Sequence, residues 1–342
     1  MTTDGADRLH HLGAPRWRGQ AGRLEVWYAT FTDDASGLGG WVHLEVVAPT
    51  DGSPAHAHGW TAVFPADGAA PVLARFGPVP VADGGAGDGQ PWCGVGATAS
   101  GPAASQGWAE VGPGAEPGTV RVAGAAGDLI WDLVLGDDHP PLFTFPRRVW
   151  ERQLLPAAQI VPLPQARVTG RLAVAGHELA VDGAGGLSRI YGHGNAQRWG
   201  WLHADLDGEG VLEIVTATAR RSVLRRVPPL ALVQLRLSGE RDWPANPLLA
   251  SPRFRTTLRA HGFSVRGTAA RQRLQVDVDL DPDASVALRY VDPDGATATC
   301  TNSERATATV LLRGPDGAER RWHLECRAHA EVGTRPALAG SR

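Results

Sequence analysis

The stretch from Trp199 to Leu206 alternates strictly between two kinds of side chain. Trp199, Trp201, His203 and Asp205 occupy the odd positions, and glycine, leucine, alanine and leucine occupy the even ones. Residues two apart on a β-strand share a face, so this pattern predicts a strand with one aromatic, polar face and one aliphatic face. An aromatic face that carries an acid is typical of the wall of a barrel interior or ligand pocket.

A similar sequence segment occurs earlier in the chain. Residues 40–46 match residues 200–206 position by position, which places Trp41, His43 and Glu45 on one strand face. A repeat over this distance predicts two related β-domains. Chance and convergent strand chemistry are the alternative explanations.

Strand-like segments and turn sequences follow one another along the rest of the chain. From Leu274 to Leu280 aliphatic and polar residues alternate, as in a strand with one buried face. Turn sequences such as DPDG at residues 292–295 separate these segments, and residues 145–155 form the best helical pattern in the first half of the chain. Short strands, tight turns and little helix predict an all-β fold. Tryptophan-rich faces favour two antiparallel barrels or one split barrel over an immunoglobulin-type sandwich.

The pattern divides the chain into three parts. Residues 1–20 are polar and irregular and are predicted to be a flexible N-terminal tail. One β-domain is predicted at residues 21–160 and a second at residues 161–336. The proline-rich segment 156–164 (PAAQIVPLP) lies at the junction and is predicted to be an extended linker.

The composition of the chain limits which binding partners and which cellular compartment we expect. With 33 basic and 36 acidic residues and a formal net charge of −3, the chain gives no reason to expect nucleic acid or an anionic membrane as a partner. Its three cysteines are far apart and form neither a zinc signature nor a disulfide framework. There is no secretory leader pattern, and no apolar run reaches the ~18–20 residues of a membrane span. We therefore expect a cytoplasmic protein without stable membrane insertion, and the sequence leaves its oligomeric state open.

A metal site is one interpretation of the histidines in the first half. His56 and His58 share a strand face, and His43 and Glu45 lie on a neighbouring predicted strand. Histidines at this spacing bind metal in some β-barrel enzymes, usually with an acid shortly afterwards. Residues 59–65 contain no acid, so we predict no metal site.

Two glycines surround a histidine in the segment Tyr191-Gly192-His193-Gly194-Asn195. Glycine permits positive φ angles, which would allow His193 and Asn195 to point into a pocket. A β-bulge or a corner between strands is an equally good interpretation. The glycine spacing matches neither the dinucleotide-binding nor the Walker pattern.

Several of these segments together resemble the lipocalin-like superfamily that includes tocopherol cyclase, carotenoid 1,2-hydratase and the Diels–Alderases of similar fold. They are the hairpin GRLAVAGHELAV at residues 170–181, the Tyr-x-His-x-Asn segment and the Trp-x-Trp strand that follows it. The early segment EVWY at residues 25–28 resembles the first domain of that superfamily. The resemblance implies two tandem lipocalin-like (calycin) antiparallel barrels with few short helices. It also implies a cyclase or hydratase that uses no cofactor and acts on a hydrophobic, isoprenoid- or polyketide-like substrate by proton-initiated or pericyclic chemistry.

The resemblance also suggests which residues carry the chemistry. His193 stands where the motif has a polar residue, and it is a catalytic candidate together with an acid. In the carotenoid hydratases that acid follows a tyrosine on the next strand, but here residues 211–216 read VLEIVT, so Glu213 or Asp205 would have to replace it. The residues expected to contact the substrate come from both copies of the repeat and from the glycine-containing segment: Trp41, His43, Glu45, Tyr191, Asn195, Trp199, Trp201 and His203.

A non-catalytic carrier of an apolar small molecule is the competing hypothesis, because an aromatic cavity serves storage as well as catalysis. The position of the acid discriminates between the two. An acid that faces the tryptophans favours an enzyme.

Overall fold

The computed structural model of the chain describes residues 3–81, 91–96, 107–154, 157–218 and 229–336. Within these residues the chain forms twenty β-strands and only short helical segments. The α-helices are α1 (Thr3–Gly13), α2 (Arg147–Glu151) and α3 (Pro247–Ala250).

Eleven strands form the first sheet, in which every pairing is antiparallel. They are β1 (Arg23–Asp33), β2 (Gly39–Ala48), β3 (His56–Phe64), β4 (Val72–Pro80), β5 (Cys93–Val95), β6 (Trp108–Pro113), β7 (Thr119–Ala126), β8 (Leu129–Gly136), β9 (Leu142–Phe143), β10 (Ala157–Val174) and β11 (His177–Gly192). Their order is β4-β3-β2-β1-β11-β10-β8-β7-β6-β5, and β9 pairs with β10. Strand β5 also contacts β2, β3 and β4, so the sheet curls into a nearly closed barrel.

Nine strands form the second sheet, again with antiparallel pairing throughout. They are β12 (Arg198–Asp205), β13 (Gly210–Thr218), β14 (Leu230–Leu237), β15 (Phe254–Arg259), β16 (Gly262–Ala269), β17 (Gln272–Asp279), β18 (Val286–Val291), β19 (Thr297–Arg313) and β20 (Glu319–Thr334). Their order is β14-β13-β12-β20-β19-β17-β16-β15, and β18 pairs with β19. The terminal strands β14 and β15 contact each other, so this sheet also forms a nearly closed barrel.

Each barrel has its own aliphatic core. Val42, Leu44 and Val168 contribute to the first core, and Leu202 and Val276 contribute to the second. The alternating strands of the second half bury their aliphatic faces as the two-residue period predicts. The all-β prediction of two tandem lipocalin-like barrels with few short helices is confirmed.

The N-terminal segment is a packed helix, which corrects the expectation of a flexible tail over residues 1–20. Leu9 and Leu12 of α1 are buried. Trp27 Nε1 donates a hydrogen bond to the carbonyl oxygen of Gly13 at 2.7 Å, and Arg189 Nη2 donates to that of Ala14 at 2.9 Å. The largely polar sequence of this segment does not predict the packing, because the helix is stabilised by only two buried leucines and by partners far along the chain.

The proline-rich segment 156–164 is not a free linker over the part that the structure describes. Residues from Ala157 onward belong to β10, and the pairing of β10 with β11 shifts register around Leu163. A strand can accommodate proline at such irregularities because no ladder hydrogen bond is needed there. The two strands β10 and β11 lie in the first sheet, and the chain enters the second sheet between Gly192 and Arg198.

A helix was expected over residues 145–155, and the structure has one only over Arg147–Glu151. Residue 155 lies outside the described part of the chain. In the described ranges, none of the helices has the length and apolar character needed to cross a membrane.

Candidate functional site

The repeated Trp-His faces lie between the two barrels, which corrects the interpretation that they line a barrel interior. On β2, Val42 and Leu44 belong to the first core, and on β12, Leu202 and Ala204 belong to the second. Successive side chains on a strand point to opposite faces. The tryptophans and histidines of both strands therefore point away from their own cores and toward the other barrel.

Aromatic rings from both barrels pack together in this layer. Tyr28 of β1 meets Trp201 of β12 edge to face, with ring centroids 5.2 Å apart. His43 of β2 stacks on Tyr290 of β18 at 5.6 Å, and Tyr290 also contacts Trp199 at 6.4 Å. None of the five residues is more than 8% exposed. The space between the barrels is thus lined by buried aromatic faces, which attract cations.

Glu213 of β13 is the centre of one polar group in the layer. Its Oε1 accepts hydrogen bonds from Trp201 Nε1 and Gln159 Nε2, each at 2.6 Å, and its Oε2 lies 2.9 Å from His203 Nδ1. Gln159 also donates to the hydroxyl oxygen of Tyr28 at 2.9 Å. Glu213 is completely buried, so these partners replace the water that an exposed carboxylate would bind.

The strand register and one glycine create this group. Strands β12 and β13 pair His203 with Glu213, so the two side chains are neighbours on one face. A side-chain carbon at Gly186 of β11 would lie 2.9 Å from His203 Cε1, so only glycine allows β11 to approach the ring this closely. Gln159 enters from β10, where its backbone oxygen accepts a hydrogen bond from Thr144 Oγ1 at 2.6 Å.

Glu45 forms a second polar group with two histidines. Its Oε2 lies 3.2 Å from His43 Nε2, and its Oε1 lies 3.0 Å from His58 Nε2. Burial alone would raise the pKa of Glu45, but the hydrogen bonds from His43 and His58 outweigh it and lower the pKa below its ordinary value. Glu45 is therefore a carboxylate at neutral pH and acts as an acceptor rather than as a proton donor.

The two histidines of β3 take up different positions. His58 contacts Glu45, whereas His56 stacks on His58 with ring centroids 5.4 Å apart. Over the described ranges of the chain, no group of three or more histidine, cysteine, aspartate and glutamate side chains is arranged to hold a metal ion.

Glu304 of β19 forms a third group that sequence reasoning did not single out. It is completely buried, contacts Thr30 Oγ1, and its Oε2 lies 2.6 Å from His329 Nδ1. Burial raises the pKa of Glu304 well above its ordinary value and lowers the pKa of His329 to about 3. Burial therefore favours the uncharged form of both groups. The rings of His329 and His203 lie 5.9 Å apart and connect this group to that of Glu213.

Glu331 of β20 is a fourth acid in the layer. Trp199 Nε1 donates a hydrogen bond to it, and burial raises its pKa. A sequence pattern for this acid does exist, because His329-Ala330-Glu331 repeats the His-x-Glu spacing of residues 43–45. Glu304, Tyr28 and Gln159 have no such pattern.

Asp205 lies outside these groups. It is the last residue of β12 and is partly exposed, and its Oδ1 accepts a hydrogen bond from the backbone N–H of Gly208 at 2.7 Å. Its side chain therefore caps the turn between β12 and β13. Glu213, the other candidate acid, is the one beside the tryptophan and the histidine.

The segment Tyr191–Asn195 makes its contacts outside the aromatic layer between the barrels. Tyr191 is buried in a cluster with residues of α1 and α2. His193 is exposed, and its Nδ1 lies 2.6 Å from the carbonyl oxygen of Gly22, while Asn195 Nδ2 donates to Asp292 Oδ1 at 2.7 Å. The predicted residues that the structure does bring into the layer are Trp41, His43, Glu45, Trp199, Trp201, His203 and Glu213.

Comparison with known proteins extends these observations. The model of the tocopherol cyclase-like family matches residues 141–334, a range that contains Gln159, His203 and Glu213. Two proteins from strains of Mycobacterium tuberculosis, Rv0493c and MT0513, are each 44% identical over 334 residues. These alignments cover 97% of this chain and 93% of each relative.

Two solved structures share the architecture. An AttH-like protein from Nitrosomonas europaea superimposes with a TM-score of 0.57 at 15% identity, over 91% of this chain and 92% of that one. Kievitone hydratase from Nectria haematococca superimposes with a TM-score of 0.58 at 9% identity, over 92% of this chain and 89% of that one. At these identities the likeness establishes the fold alone.

Proposed function

The chain belongs to the tocopherol cyclase-like family, and on that premise we propose that it is a cofactor-independent cyclase or hydratase acting on a hydrophobic, isoprenoid- or polyketide-like substrate. The observation that carries the proposal is the buried group around Glu213, in which Trp201, Gln159 and His203 surround one carboxyl. A carboxyl and an imidazole among buried aromatic rings can hold and transfer a proton away from bulk solvent. Such a site suits the addition of an oxygen to a double bond.

Glu213 Oε2 and His203 Nδ1 lie 2.9 Å apart, and this pair is the proposed source of the reacting proton. In the proposed reaction this pair donates the proton to a carbon–carbon double bond of the substrate, which leaves a cation on the neighbouring carbon. The faces of Trp201 and Tyr28 stabilise that cation by about 0.5–2 kcal/mol each. The hydrogen bonds from Trp201 and Gln159 hold the carboxyl in place, so that little reorganisation is needed during the reaction.

Two outcomes follow from the same cation. Attack by a water molecule gives a hydrated product, and attack by a hydroxyl group of the substrate closes a ring. In both cases the attacking oxygen releases one proton, which returns to the pair of Glu213 and His203. The pair is regenerated, no electrons are exchanged, and no cofactor is required.

The test compares Glu213→Gln with Asp205→Asn, a matched control in which the other candidate acid loses its charge. Purified protein is incubated with a panel of prenylated phenols and linear polyenes, and products are identified by mass spectrometry. A hydrated product is heavier than its substrate by one water, whereas a cyclised product has the same mass. Removing a positioned acid lowers turnover by about 10²–10⁴-fold, so Glu213→Gln should lose turnover and Asp205→Asn should keep it.

Equal turnover by the two variants would contradict the role of Glu213. Circular dichroism of both variants checks that the fold is retained. If the wild-type protein binds members of the panel but converts none of them, the carrier hypothesis replaces the enzymatic one. Native mass spectrometry of protein purified from its host would then identify the ligand directly.

A further inference from the structure

A β-bulge in β19 forms a polar site in the layer between the barrels. In the pairing of β19 with β20, the register shifts so that the two residues Glu304 and Arg305 lie opposite the single residue His329. Bulges redirect side chains and are common next to active sites. Asn302, two residues before Glu304 on the same strand, is also completely buried. The bulge therefore gathers polar side chains inside the protein.

Three polar atoms at the bulge have no hydrogen-bond partner in good geometry among the described residues. They are Glu304 Oε1, Asn302 Oδ1 and Asn302 Nδ2. The other carboxyl oxygen, Glu304 Oε2, is occupied, because Thr30 Oγ1 donates to it and His329 Nδ1 lies 2.6 Å away. Buried polar atoms almost always have a partner, and a bound oxygen commonly bridges those that the protein leaves unsatisfied. The three atoms therefore indicate a ligand.

The chemistry of the two side chains matches a neutral oxygen. Burial raises the pKa of Glu304, which favours the uncharged carboxyl, and the neighbouring Asn302 amide opposes this shift only in part. An uncharged carboxyl and an amide each offer both a donor and an acceptor. An ion would lose its hydration and meet only uncharged partners at these two side chains. A water molecule or a hydroxyl group, which also donates and accepts, fits them.

A row of side chains across four neighbouring strands connects this site to Glu213. Glu213 of β13 lies opposite His203 of β12, and His203 lies opposite His329 of β20, which faces Glu304 of β19. Glu213 and His203 approach to 2.9 Å, and Glu304 and His329 approach to 2.6 Å. The two imidazole rings lie 5.9 Å apart between centroids. The row thus consists of two acid–histidine pairs that meet at their histidines.

Strand β1 contacts the groups of both acids from one face. Thr30 contacts Glu304, and Tyr28 contacts Gln159, which donates to Glu213. Thr30 and Tyr28 are two residues apart, or about 7 Å along the strand. The two acids therefore lie along the same short stretch of the layer between the barrels.

We propose that Asn302 and Glu304 bind the oxygen that attacks the substrate cation, either a water molecule or a hydroxyl group of the substrate. The inference rests on the proposed function. As the carbon–oxygen bond forms, the oxygen–hydrogen bond breaks and its proton passes to Glu304 Oε1. Glu304 Oε2 gives its own proton to His329, and His329 returns one proton to the pair of His203 and Glu213. All protons are recovered, and no electrons are exchanged.

A crystal structure that shows ordered water tests the site without any substrate. The wild-type protein should contain an oxygen within hydrogen-bond distance of Asn302 Nδ2 and Glu304 Oε1. Asn302→Leu, which has a similar shape and no polar atom, should lose this oxygen. Glu304→Gln keeps a donor and an acceptor and should retain it. A wild-type structure without the oxygen would overturn the proposal.

Turnover of the prenylated phenols and polyenes tests the role of that oxygen. Asn302→Leu should lower turnover at least tenfold because the oxygen is no longer held. Glu304→Gln should lower it at least tenfold because an amide does not pass on the proton. The control is Gln275→Leu, which likewise replaces an amide by an alkyl group but lies partly exposed on β17. This variant should keep its turnover.

Two further measurements complete the experiment. If circular dichroism shows that Asn302→Leu is not folded, Asn302→Val takes its place. In isotopically labelled water, a labelled product assigns the oxygen to water, and an unlabelled cyclised product assigns it to a hydroxyl group of the substrate. Undiminished turnover in a folded apolar variant of Asn302 would overturn the proposal.

The same variants separate this inference from the proposed function. If Glu213→Gln loses turnover while Asn302→Leu keeps it, the oxygen site fails as the source of the nucleophile and the proposed function stands. If Glu213→Gln keeps its turnover while Asn302→Leu loses both the oxygen and turnover, the role of Glu213 fails and the oxygen site stands.

Discussion

The ring of Tyr28 meets the ring of Trp201 edge to face across the junction of the two barrels, at a centroid distance of 5.2 Å and an interplanar angle of 88°. Tyr28 belongs to the first sheet and Trp201 to the second. Each also reaches Glu213, Trp201 directly and Tyr28 through Gln159. One aromatic contact therefore joins the barrels at the point where the candidate site is built.

This contact should couple the stabilities of the two barrels. In a double-mutant cycle of Tyr28→Leu and Trp201→Leu, we expect a coupling energy of about 0.5–1.5 kcal/mol in the free energy of unfolding, as for other aromatic pairs. Urea denaturation of the four proteins measures it. The reference cycle combines Tyr28→Leu with Trp243→Leu, because the Trp243 ring packs on Phe254 instead. Additive effects in both cycles would contradict the prediction.

Glu45→Gln should destabilise the protein most at neutral pH. The substitution removes the carboxylate that His43 and His58 contact, and loss of a buried partner costs about 1–3 kcal/mol. Since the pKa of Glu45 is lowered on folding, its ionised form contributes stability above the ordinary value of 4.5, and this contribution is lost as the pH falls below it. The difference from wild type, measured by denaturation from pH 7 to pH 3, should therefore shrink. Exposed Glu116→Gln is the control and should have little effect at any pH.

Glu304→Gln should show the opposite pH dependence. The pKa of Glu304 is raised by burial, so above pH 4.5 the unfolded chain releases a proton that the folded protein keeps. Folding stability of the wild type then falls with rising pH, by up to about 1.4 kcal/mol per pH unit for one proton. Glutamine cannot ionise, so the variant should gain stability relative to wild type as the pH rises from 5 to 8. A constant difference over this range would mean that Glu304 ionises normally in the folded protein.

Arg189→Met should release the N-terminal helix. The Arg189 guanidinium is completely buried, lies 3.8 Å from the centroid of the Trp27 ring and contacts Glu25, so its loss leaves a buried carboxylate without its cation. Breaking a buried pair in this way costs about 3–5 kcal/mol. We expect a lower unfolding midpoint and faster proteolysis within α1.

The control for that experiment is Arg121→Met. Arg121 is partly exposed and pairs with Glu110 and Asp132 on the surface of the first barrel. Exposed pairs contribute about 0–1 kcal/mol, so this variant should unfold close to the wild type. A similar loss of stability in the two variants would argue against a special role for Arg189.

The alternation of side-chain types along the sequence was sufficient to predict much of the fold and part of the candidate site. The alternation from Leu274 to Leu280 reports burial of one strand face, and the structure buries Leu274, Val276 and Val278. The repeated Trp-His-acid phrase likewise predicted which side chains share a face. A two-residue period is a property of the backbone, so it can be read without knowing what packs against it.

Contacts between segments that are far apart in the sequence could not be predicted from this alternation. Gln159 contacts Glu213 from 54 residues away along the chain, and Tyr28 contacts Gln159 from 131 residues away. No spacing rule connects such residues, because their proximity follows from how two sheets pack and not from any one strand. For the same reason the segment Tyr191–Asn195, which resembles a family motif, proved to join elements outside the layer.

By itself the sequence determined that Trp201, His203 and an acid lie on one side of a strand, and that the chain repeats this arrangement. The tertiary structure decided which acid is involved and what the face meets. Asp205 follows the alternating pattern and Glu213 lies on the next strand, but the pairing of β12 with β13 places Glu213 beside His203 and leaves Asp205 in the turn. Alternation is encoded residue by residue, whereas register and the packing of one barrel on the other depend on the free energy of the whole chain.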